Sequence, residues 1–233
     1  MKNVIVTGAS SGIGEAICRI LLEKGNRVAG LARRTEKMSG LKSDYASNFI
    51  AISCDVTQAE QVLAAKNQLL DQWKQIDVLI NNAGVGYLGK MEETPLAEWH
   101  KMFDVNVNGL MTCIHTFQEQ LFNSRGQIIN IDSVAGHEVY PEAVVYCATK
   151  HAVRALSVGM EKEFKGRIKT TNISPGAVET EFHTHTTHLE KAEQMEKQFS
   201  NVLKADDVAR AVEFAIDQPG HVAINELTIR PFK

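Results

Sequence analysis

Short apolar runs alternate with longer amphipathic segments along most of this chain, and this alternation limits the possible folds more than any other feature. Seven runs have the length and the β-branched content of buried strands: NVIV, NRVAGLA, NFIAIS, IDVLI, GQIINI, IKTTNIS and AINELTI. The first intervening segment has apolar residues at the spacing of one helix face: Ile13, Ala16, Ile17, Ile20 and Leu21. Strand, helix and strand in repetition predict an α/β fold whose parallel sheet is covered by helices on both faces.

Two further helix starts are predicted from capping patterns. Thr57 and Glu60 have the spacing of a capping box, in which each side chain accepts a hydrogen bond from the backbone of the other residue. Pro95 follows Thr94 and suits the first turn of another helix, where a missing N–H has no cost.

The chain reads as a single domain over residues 1–233, because no internal repeat, low-complexity stretch or Pro/Gly-rich linker divides it. The alternation is interrupted only at about 176–203, between the sixth strand and the last helix. This segment is polar and follows the carboxyl end of a strand, so we expect it to form a lid over a binding site.

Composition excludes several classes of protein. With 44% hydrophobic residues, 23% charged residues and a net charge of -3, the chain has neither a nucleic-acid-binding charge pattern nor an apolar run long enough for a membrane span. The opening residues lack the apolar core of a signal peptide, so we expect a cytoplasmic protein. The four cysteines are far apart and are predicted to be buried free thiols: Cys18, Cys54, Cys113 and Cys147.

The first strand leads directly into TGASSGIG, residues 7–14, and then into the first helix. Glycines at Gly8, Gly12 and Gly14 permit a tight turn, and a helix start offers N–H groups and a positive dipole end to a pyrophosphate. The spacing differs from G-x-G-x-x-G, which favours a dinucleotide-binding turn of another type.

A hydrolase is the competing interpretation of the same turn. GASSG matches the G-x-S-x-G pattern of a nucleophile elbow, with Ser10 as the nucleophile and with Asp217 and His221 as candidate partners. An elbow on the first strand would have no earlier strand or loop to supply the second oxyanion donor. We therefore rank this interpretation below dinucleotide binding.

Several further motifs follow in a fixed order along the chain. They are T-G-x-x-x-G-x-G at 7–14, Asp55-Val56 after the third strand, N-N-A-G at 81–84, N-x-x-G at 106–109, Ser133, Y-x-x-x-K at 146–150, and Pro175-Gly176 followed by Thr180. Each motif alone is weak evidence. Together and in this order, they make nearly the whole chain similar to the short-chain dehydrogenase/reductase family.

This resemblance implies a Rossmann-type doubly wound domain with strand order 3-2-1-4-5-6-7 and a dinucleotide at the carboxyl ends of the strands. It implies that Asp55 contacts the adenine amino group and that the backbone after the fourth strand lines the adenosine. The cofactor contacts carried over from the family are Gly8, Ser10, Ser11, Gly12, Ile13, Gly14, Arg33, Arg34, Asp55, Val56, Asn82, Ala83, Gly84, Tyr146, Lys150, Pro175, Gly176, Val178 and Thr180.

The residues after the second strand favour NADP over NAD. Family members that prefer NAD place an acid at the end of this strand, where it accepts hydrogen bonds from the ribose 2′-hydroxyl. Here that position is Ala32, and the guanidinium groups of Arg33 and Arg34 suit a 2′-phosphate instead. The alternative is that the two arginines form a solvated basic patch.

The resemblance also assigns catalytic roles to Asn106, Ser133, Tyr146 and Lys150. Tyr146 would exchange a proton with the substrate oxygen and Ser133 would hydrogen-bond that oxygen. Lys150 and the oxidised nicotinamide ring would together stabilise the phenolate. Lys150 would also hold the ribose, and Asn106 would hold a water that links Lys150 to solvent. A free tyrosine has a pKa of about 10, so action at neutral pH requires about 4 kcal/mol of phenolate stabilisation. Asp132 immediately precedes Ser133, at a position where many members of the family have a second serine.

The expected activity is hydride transfer between NADP and a carbonyl or alcohol. The stretches SPGAVETEF and HVAINELTIRPF resemble a bacterial branch of NADP-dependent serine and 3-hydroxy acid dehydrogenases. A non-catalytic NADP-sensing protein on the same fold is the alternative. We expect a homodimer or homotetramer, as is common in the family.

We expect no metal site in this chain. The histidines of HTHTTH, which are His183, His185 and His188, have no Cys or carboxylate that completes a convincing ligand set.

Overall fold

A computed structural model of the protein describes residues 1–180 and 202–232. These residues form one parallel sheet of seven strands in the order β3-β2-β1-β4-β5-β6-β7, which confirms the expected fold. The strands are β1 Asn3–Thr7, β2 Arg27–Ala32, β3 Phe49–Ser53, β4 Val78–Asn81, β5 Gln127–Ile131, β6 Lys169–Pro175 and β7 Glu226–Ile229. All seven coincide with the apolar runs predicted to be strands.

Seven α-helices connect the strands within the described residues. They are α1 Gly12–Glu23, α2 Ser39–Asp44, α3 Ala59–Leu70, α4 Leu96–Phe103, α5 Leu110–Ser124, α6 Val144–Glu163 and α7 Ala205–Ile216. Short 3-10 helices cover Thr35–Met38 and Val134–Gly136, and a π-helix, Asp104–Gly109, joins α4 to α5.

Two apolar cores lie on opposite faces of the sheet, because successive side chains of a strand point to opposite sides. Val4 and Val6 pack in the core beneath α1, α2 and α7, whereas Ile5 packs in the core beneath α3, α5 and α6. Burial on both faces explains why the strands are continuous apolar runs rather than alternating ones. The sheet is thereby fixed from both sides, and its carboxyl edge is left for binding.

The switch in strand order occurs at β1, which pairs with β2 on one side and with β4 on the other. The connections after β1 and β4 therefore lead in opposite directions and leave a crevice between them.

Two predicted helix starts require correction. The capping box at Thr57 is wrong: α3 begins at Ala59, with Gln58 at the N-cap. The Thr57 hydroxyl instead donates to the Asp55 carboxylate, at 2.8 Å, and this local acceptor competes with the helix backbone. Helix α4 begins at Leu96, so Pro95 occupies the N-cap rather than the first turn.

All four cysteines are free and buried, as predicted. Burial raises the pKa of the Cys18 and Cys113 thiols, and it raises that of Cys54 to about 11. No helix within residues 1–180 and 202–232 is long and apolar enough to cross a membrane.

The predicted lid at 176–203 lies mostly outside the described residues, and so do His183, His185 and His188. Its two described ends are joined, because Val178 and Leu203 form a parallel β-bridge and the Leu203 N–H donates to the Ala177 carbonyl at 2.9 Å.

Candidate active site

The turn after β1 is built for close approach between backbone segments. Gly8 has a φ of +67°, and a Cβ at this position would lie 2.9 Å from the Ala83 Cα. A Cβ at Gly14 would lie 2.2 Å from the Gly8 carbonyl oxygen and 2.6 Å from the Asn82 side-chain nitrogen. A side chain at Gly8 would collide with the segment after β4, and one at Gly14 would collide with the turn, so glycine is required at both positions on steric grounds.

Helix α1 starts at this turn, and its first residues, Gly12 and Ile13, line the crevice. Its N-cap, Ser11, has an extended backbone, and within the described residues no side chain caps the helix. The first-turn N–H groups and the positive end of the helix dipole are therefore available to an anion. Thr180 lies over the turn, since a Cβ at Gly12 would be 3.1 Å from its Cγ2.

The Thr7 hydroxyl fastens β1 to the residues that follow β4. Its oxygen accepts hydrogen bonds from the backbone N–H groups of Asn82 and Ala83, each at 3.0 Å. In return, the Asn82 side chain donates to the Thr7 carbonyl at 2.9 Å and to the Gly8 carbonyl at 3.3 Å. Two of the sequence motifs thus form one hydrogen-bonded unit.

A continuous crevice runs along this carboxyl edge. Its lining includes thirteen of the predicted cofactor residues: Gly8, Ser10, Ser11, Gly12, Ile13, Arg33, Arg34, Asp55, Val56, Asn82, Ala83, Gly84 and Thr180. Leu31, Ala32, Cys54, Val85 and Val105 complete it. From the sequence, Ala32 was expected at the cofactor as the position of a possible acid, and Cys54 was predicted only to be a buried thiol. Cys54 and Val85 adjoin predicted residues, which is the signal that could have identified them.

The remaining predicted cofactor residues lie elsewhere. Gly14 packs beneath the turn, while Tyr146 and Lys150 lie on α6. Pro175 ends β6, and the Gly176 N–H donates to the Ile229 carbonyl at 2.7 Å. Val178 lies in the bridge described above.

The end of β2 gives this crevice a positive charge. Ala32 is buried and offers no carboxylate, while Arg33 is exposed and lines the crevice together with Arg34. A ribose that carries only hydroxyl groups would have no acid to bind here, whereas a phosphorylated ribose would meet guanidinium groups.

Asp55 lies across the crevice in its ionised form. Burial opposes ionisation, but hydrogen bonds from the Thr57 N–H and hydroxyl outweigh it and lower the pKa of the carboxyl group. The charges of Lys101 and Arg33 act in the same direction. Asp55 is therefore an acceptor at neutral pH, as an amino group of a ligand requires.

Asn106 lies in the π-helix, a form of helix often found at functional sites. Its side chain is 2% exposed and is paired locally. Its oxygen accepts from the Val85 N–H at 2.8 Å, and its nitrogen donates to the Val85 carbonyl at 2.9 Å and to the Thr149 hydroxyl at 3.0 Å. Asn106 thereby ties the crevice wall to α6, and its predicted water-binding role stays a prediction.

Ser133, Tyr146 and Lys150 come together at the end of β5. Ser133 is the N-cap of the second 3-10 helix, and its side chain is hydrogen-bonded to the Tyr146 phenol. The Lys150 ammonium lies 5.9 Å from the centre of the Tyr146 ring and donates to the Ile131 carbonyl at 2.9 Å. The geometry thus groups a hydroxyl, a phenol and a buried cation.

Burial determines most of the ionisation of this group in the protein without cofactor. Burial raises the pKa of Tyr146, and the hydrogen bond from Ser133 only partly offsets that effect. Burial also lowers the pKa of Lys150. The Tyr146 phenol is therefore protonated at neutral pH in the protein without cofactor.

The hydrolase interpretation does not fit the fold. Asp217 ends α7, and the preceding residue, Ile216, accepts a hydrogen bond from Lys2 at the amino end of β1. Ser10 follows the carboxyl end of the same strand. Because β1 has five residues, its two ends are about 16 Å apart. Asp217 therefore lies too far from Ser10 to form a triad with it.

Comparison with known proteins agrees with this geometry. A model of the short chain dehydrogenase family matches residues 2–191. The chain belongs to this family. Serine 3-dehydrogenase from Rhizobium radiobacter is 34% identical over 232 residues, which cover 98% of this chain and 93% of that protein.

Solved structures of the family superpose closely on the chain. The closed form of serine dehydrogenase complexed with NADP+ has a TM-score of 0.89 at 32% identity, over 97% of this chain and 94% of that one. An alcohol dehydrogenase from the archaeon Thermococcus sibiricus, complexed with 5-hydroxy-NADP, has a TM-score of 0.88 at 30% identity, over 99% and 97%. The chain is thus an oxidoreductase of the short-chain type.

The close approach at Gly14 is directly testable. Gly14→Ala should weaken dinucleotide binding at least about tenfold and lower the melting temperature, because the new Cβ overlaps the Gly8 carbonyl. Gly159→Ala is the matched control: no atom lies within 4 Å of its Cβ position, and alanine should stabilise α6 by about 0.5–1 kcal/mol. Fluorescence titration with NADPH and thermal unfolding measure both effects, and equal behaviour of the two variants would contradict the steric argument.

Proposed function

We propose that this protein is an NADP-dependent dehydrogenase/reductase that interconverts a small alcohol and its carbonyl compound, with Tyr146 as the proton-transfer residue. The observation that carries the proposal is the Ser133 side chain hydrogen-bonded to the Tyr146 phenol, next to the buried Lys150 ammonium. These groups follow β5, at the same edge of the sheet as the dinucleotide crevice. A substrate oxygen between them would meet both a proton donor and a hydrogen-bond donor.

The crevice fits NADP in both shape and charge. The glycines leave room for a pyrophosphate beside the first turn of α1, and Asp55 accepts a hydrogen bond from an adenine amino group. Arg33 and Arg34 line the same crevice and would bind the 2′-phosphate. When bound, NADPH supplies the hydride and NADP+ accepts it, and the nicotinamide of NADP+ carries a positive charge.

In the reducing direction, Tyr146 donates its phenolic proton to the substrate oxygen as negative charge develops there. Ser133 hydrogen-bonds the same oxygen and stabilises that charge. In the oxidising direction, Tyr146 accepts the hydroxyl proton of the substrate as a phenolate, which the positive charge of Lys150 favours. Asn106 positions Thr149 and Val85 beside this group.

A small 3-hydroxy acid is the proposed substrate class. The similarity to serine 3-dehydrogenase and to serine dehydrogenase with NADP+ supports it. Serine and other 3-hydroxy acids should be assayed beside alcohols of equal length that lack the carboxylate, with reduced cofactor followed by absorbance. Preference for the acids supports the class, and equal or better turnover of the simple alcohols overturns it. Tight NADP binding without turnover of any alcohol or carbonyl would favour the NADP sensor.

The assembly is also part of the proposal. Large apolar side chains are exposed on the consecutive helices α4, α5 and α6, at Phe103, Met111 and Val158. Their burial between subunits would stabilise the homodimer or homotetramer that the sequence predicts.

Tyr146→Phe should reduce kcat about 10²- to 10⁴-fold, the usual contribution of a positioned acid or base. Cofactor affinity should change less than about threefold, because the aromatic ring and the packing of α6 are retained. Steady-state kinetics and NADPH titration test both expectations. Tyr45→Phe, at the end of α2, removes the same atom away from the site and serves as the control. Unchanged kcat in Tyr146→Phe would exclude the proposed proton transfer.

Replacing both Arg33 and Arg34 with Ala should weaken NADP at least about tenfold, since hydrogen bonds to charged groups contribute about 1.5–3 kcal/mol. NAD should lose less than about threefold, because it has no 2′-phosphate. The control is the double variant Arg27→Ala/Arg167→Ala, which removes the same charge at the opposite edge of the sheet. Arg27 begins β2 there, and Arg167 precedes β6. Calorimetric titration of NADP and NAD with each variant decides the matter, and equal losses for the two cofactors would remove the phosphate assignment.

A further inference from the structure

Asp132 is a buried acid beside the candidate active site that no step described above uses. It lies between the end of β5 and Ser133, and it is 4% exposed. Within the described residues, its Oδ1 atom has no hydrogen-bond partner. A buried carboxylate with an unpaired oxygen is costly, so its retention next to Ser133 calls for an explanation.

The second oxygen of Asp132 is held in place by β6. It accepts a hydrogen bond from the Asn172 side chain at 3.1 Å and a longer one from the Ser174 hydroxyl at 3.4 Å. A Cβ at Gly136 would lie 2.5 Å from this same oxygen, so the glycine leaves the space that the carboxylate fills. The acid is thus fixed by its surroundings rather than free to turn to solvent.

Lys150 is a buried cation held beside the backbone that precedes this acid. Its ammonium donates to the carbonyl of Ile131, the residue immediately before Asp132, and only 7% of Lys150 is exposed. Burial raises the pKa of Asp132 and lowers that of Lys150, and the charge of each group opposes the effect of burial on the other. A buried cation needs an opposite charge to stay protonated.

We propose that Asp132 is a positioning residue for hydride transfer: it is the buried counter-charge that keeps Lys150 protonated, and so keeps a positive charge available to Tyr146. The role given to Lys150 rests on the proposed function, but the charge interaction between Asp132 and Lys150 does not. Asp132 touches neither substrate nor cofactor in this scheme and acts through Lys150.

Other charged groups face the pair from each neighbouring element. Tyr146 and Arg154 face it from α6, and His137 faces it from the loop after the 3-10 helix. His137 lies 3.0 Å from the Ser174 hydroxyl and 3.4 Å from a carboxylate oxygen of Glu226 on β7.

Glu226 is the acid nearest to these groups at the surface. It pairs with Arg154 at 3.0 Å and is partly exposed, so solvent screens its charge. Asp132 is therefore the buried acid whose charge acts directly on Lys150.

The test is a direct titration of Lys150, which needs no substrate and no turnover. Protein labelled with ¹³C and ¹⁵N at lysine is followed by NMR against pH, with the Lys150 signal assigned through Lys150→Arg. In Asp132→Asn, the Lys150 midpoint should fall by about one unit or more relative to the wild-type protein, because loss of an opposite charge disfavours the ammonium. An unchanged or higher midpoint overturns the proposal.

Glu138→Gln is the matched control. It removes a carboxylate from the same loop, but Glu138 is exposed and paired with Arg230 at 2.7 Å. Its effect on the Lys150 midpoint should stay below about 0.3 unit because solvent screens it. An equal fall in both variants would show a general charge effect and would also overturn the proposal.

Asp132→Ser provides a second variant if the asparagine variant fails to fold. The smaller side chain fits the space beside Gly136, and the same downward shift is expected. Failure of the proposed function appears in the turnover assays and failure of this inference in the Lys150 titration, so the two are separable.

Discussion

The hydrogen bonds of the Thr7 hydroxyl are the junction on which the crevice depends. This oxygen receives the N–H groups of Asn82 and Ala83 and so holds the turn after β1 against the segment after β4. Gly8 and Gly14 have no side chains because the two segments and α1 meet within contact distance at this junction. This junction sets the position of the first N–H groups of α1 relative to the Asp55 carboxylate. Binding geometry here is therefore a consequence of backbone packing before any cofactor contact is considered.

The chemistry depends on the balance between burial and charge around Tyr146. Burial raises the pKa of the phenol and lowers that of Lys150, so both groups resist the ionised form that proton transfer needs. Ser133 and Asp132 act on this balance in opposite ways. The hydrogen bond from Ser133 favours the phenolate of Tyr146, whereas the charge of Asp132 disfavours that phenolate. The same charge of Asp132 favours the ammonium form of Lys150. In this account the site is complete only with the positive charge of the oxidised cofactor, and proton transfer is thereby coupled to cofactor binding.

Much of the fold follows from the sequence, because strands buried on both faces are continuous apolar runs and the helices between them are amphipathic. The strand order came from family resemblance, since periodicity does not determine which strands are neighbours. The capping box at Thr57 failed because a nearby carboxylate, Asp55, binds the same hydroxyl.

The arrangement around Asp132 was not predictable, because it depends on the register of β5, β6 and β7. This register sets Ile131 beside Ile173 and Asn172 beside Glu226. The raised pKa of Tyr146 in the protein without cofactor also depends on packing, because desolvation is not encoded by residue spacing.

Under the proposed function, Tyr146 becomes an effective acid and base only beside the positive charge of the oxidised nicotinamide. The most direct measurement is an ultraviolet difference titration of tyrosinate, with and without NADP+, in the wild-type protein and in Tyr146→Phe. The account predicts one tyrosine whose midpoint falls by about one unit or more when NADP+ is bound and whose signal is absent from the variant. A Tyr146 midpoint that is unchanged or higher with NADP+ would contradict it.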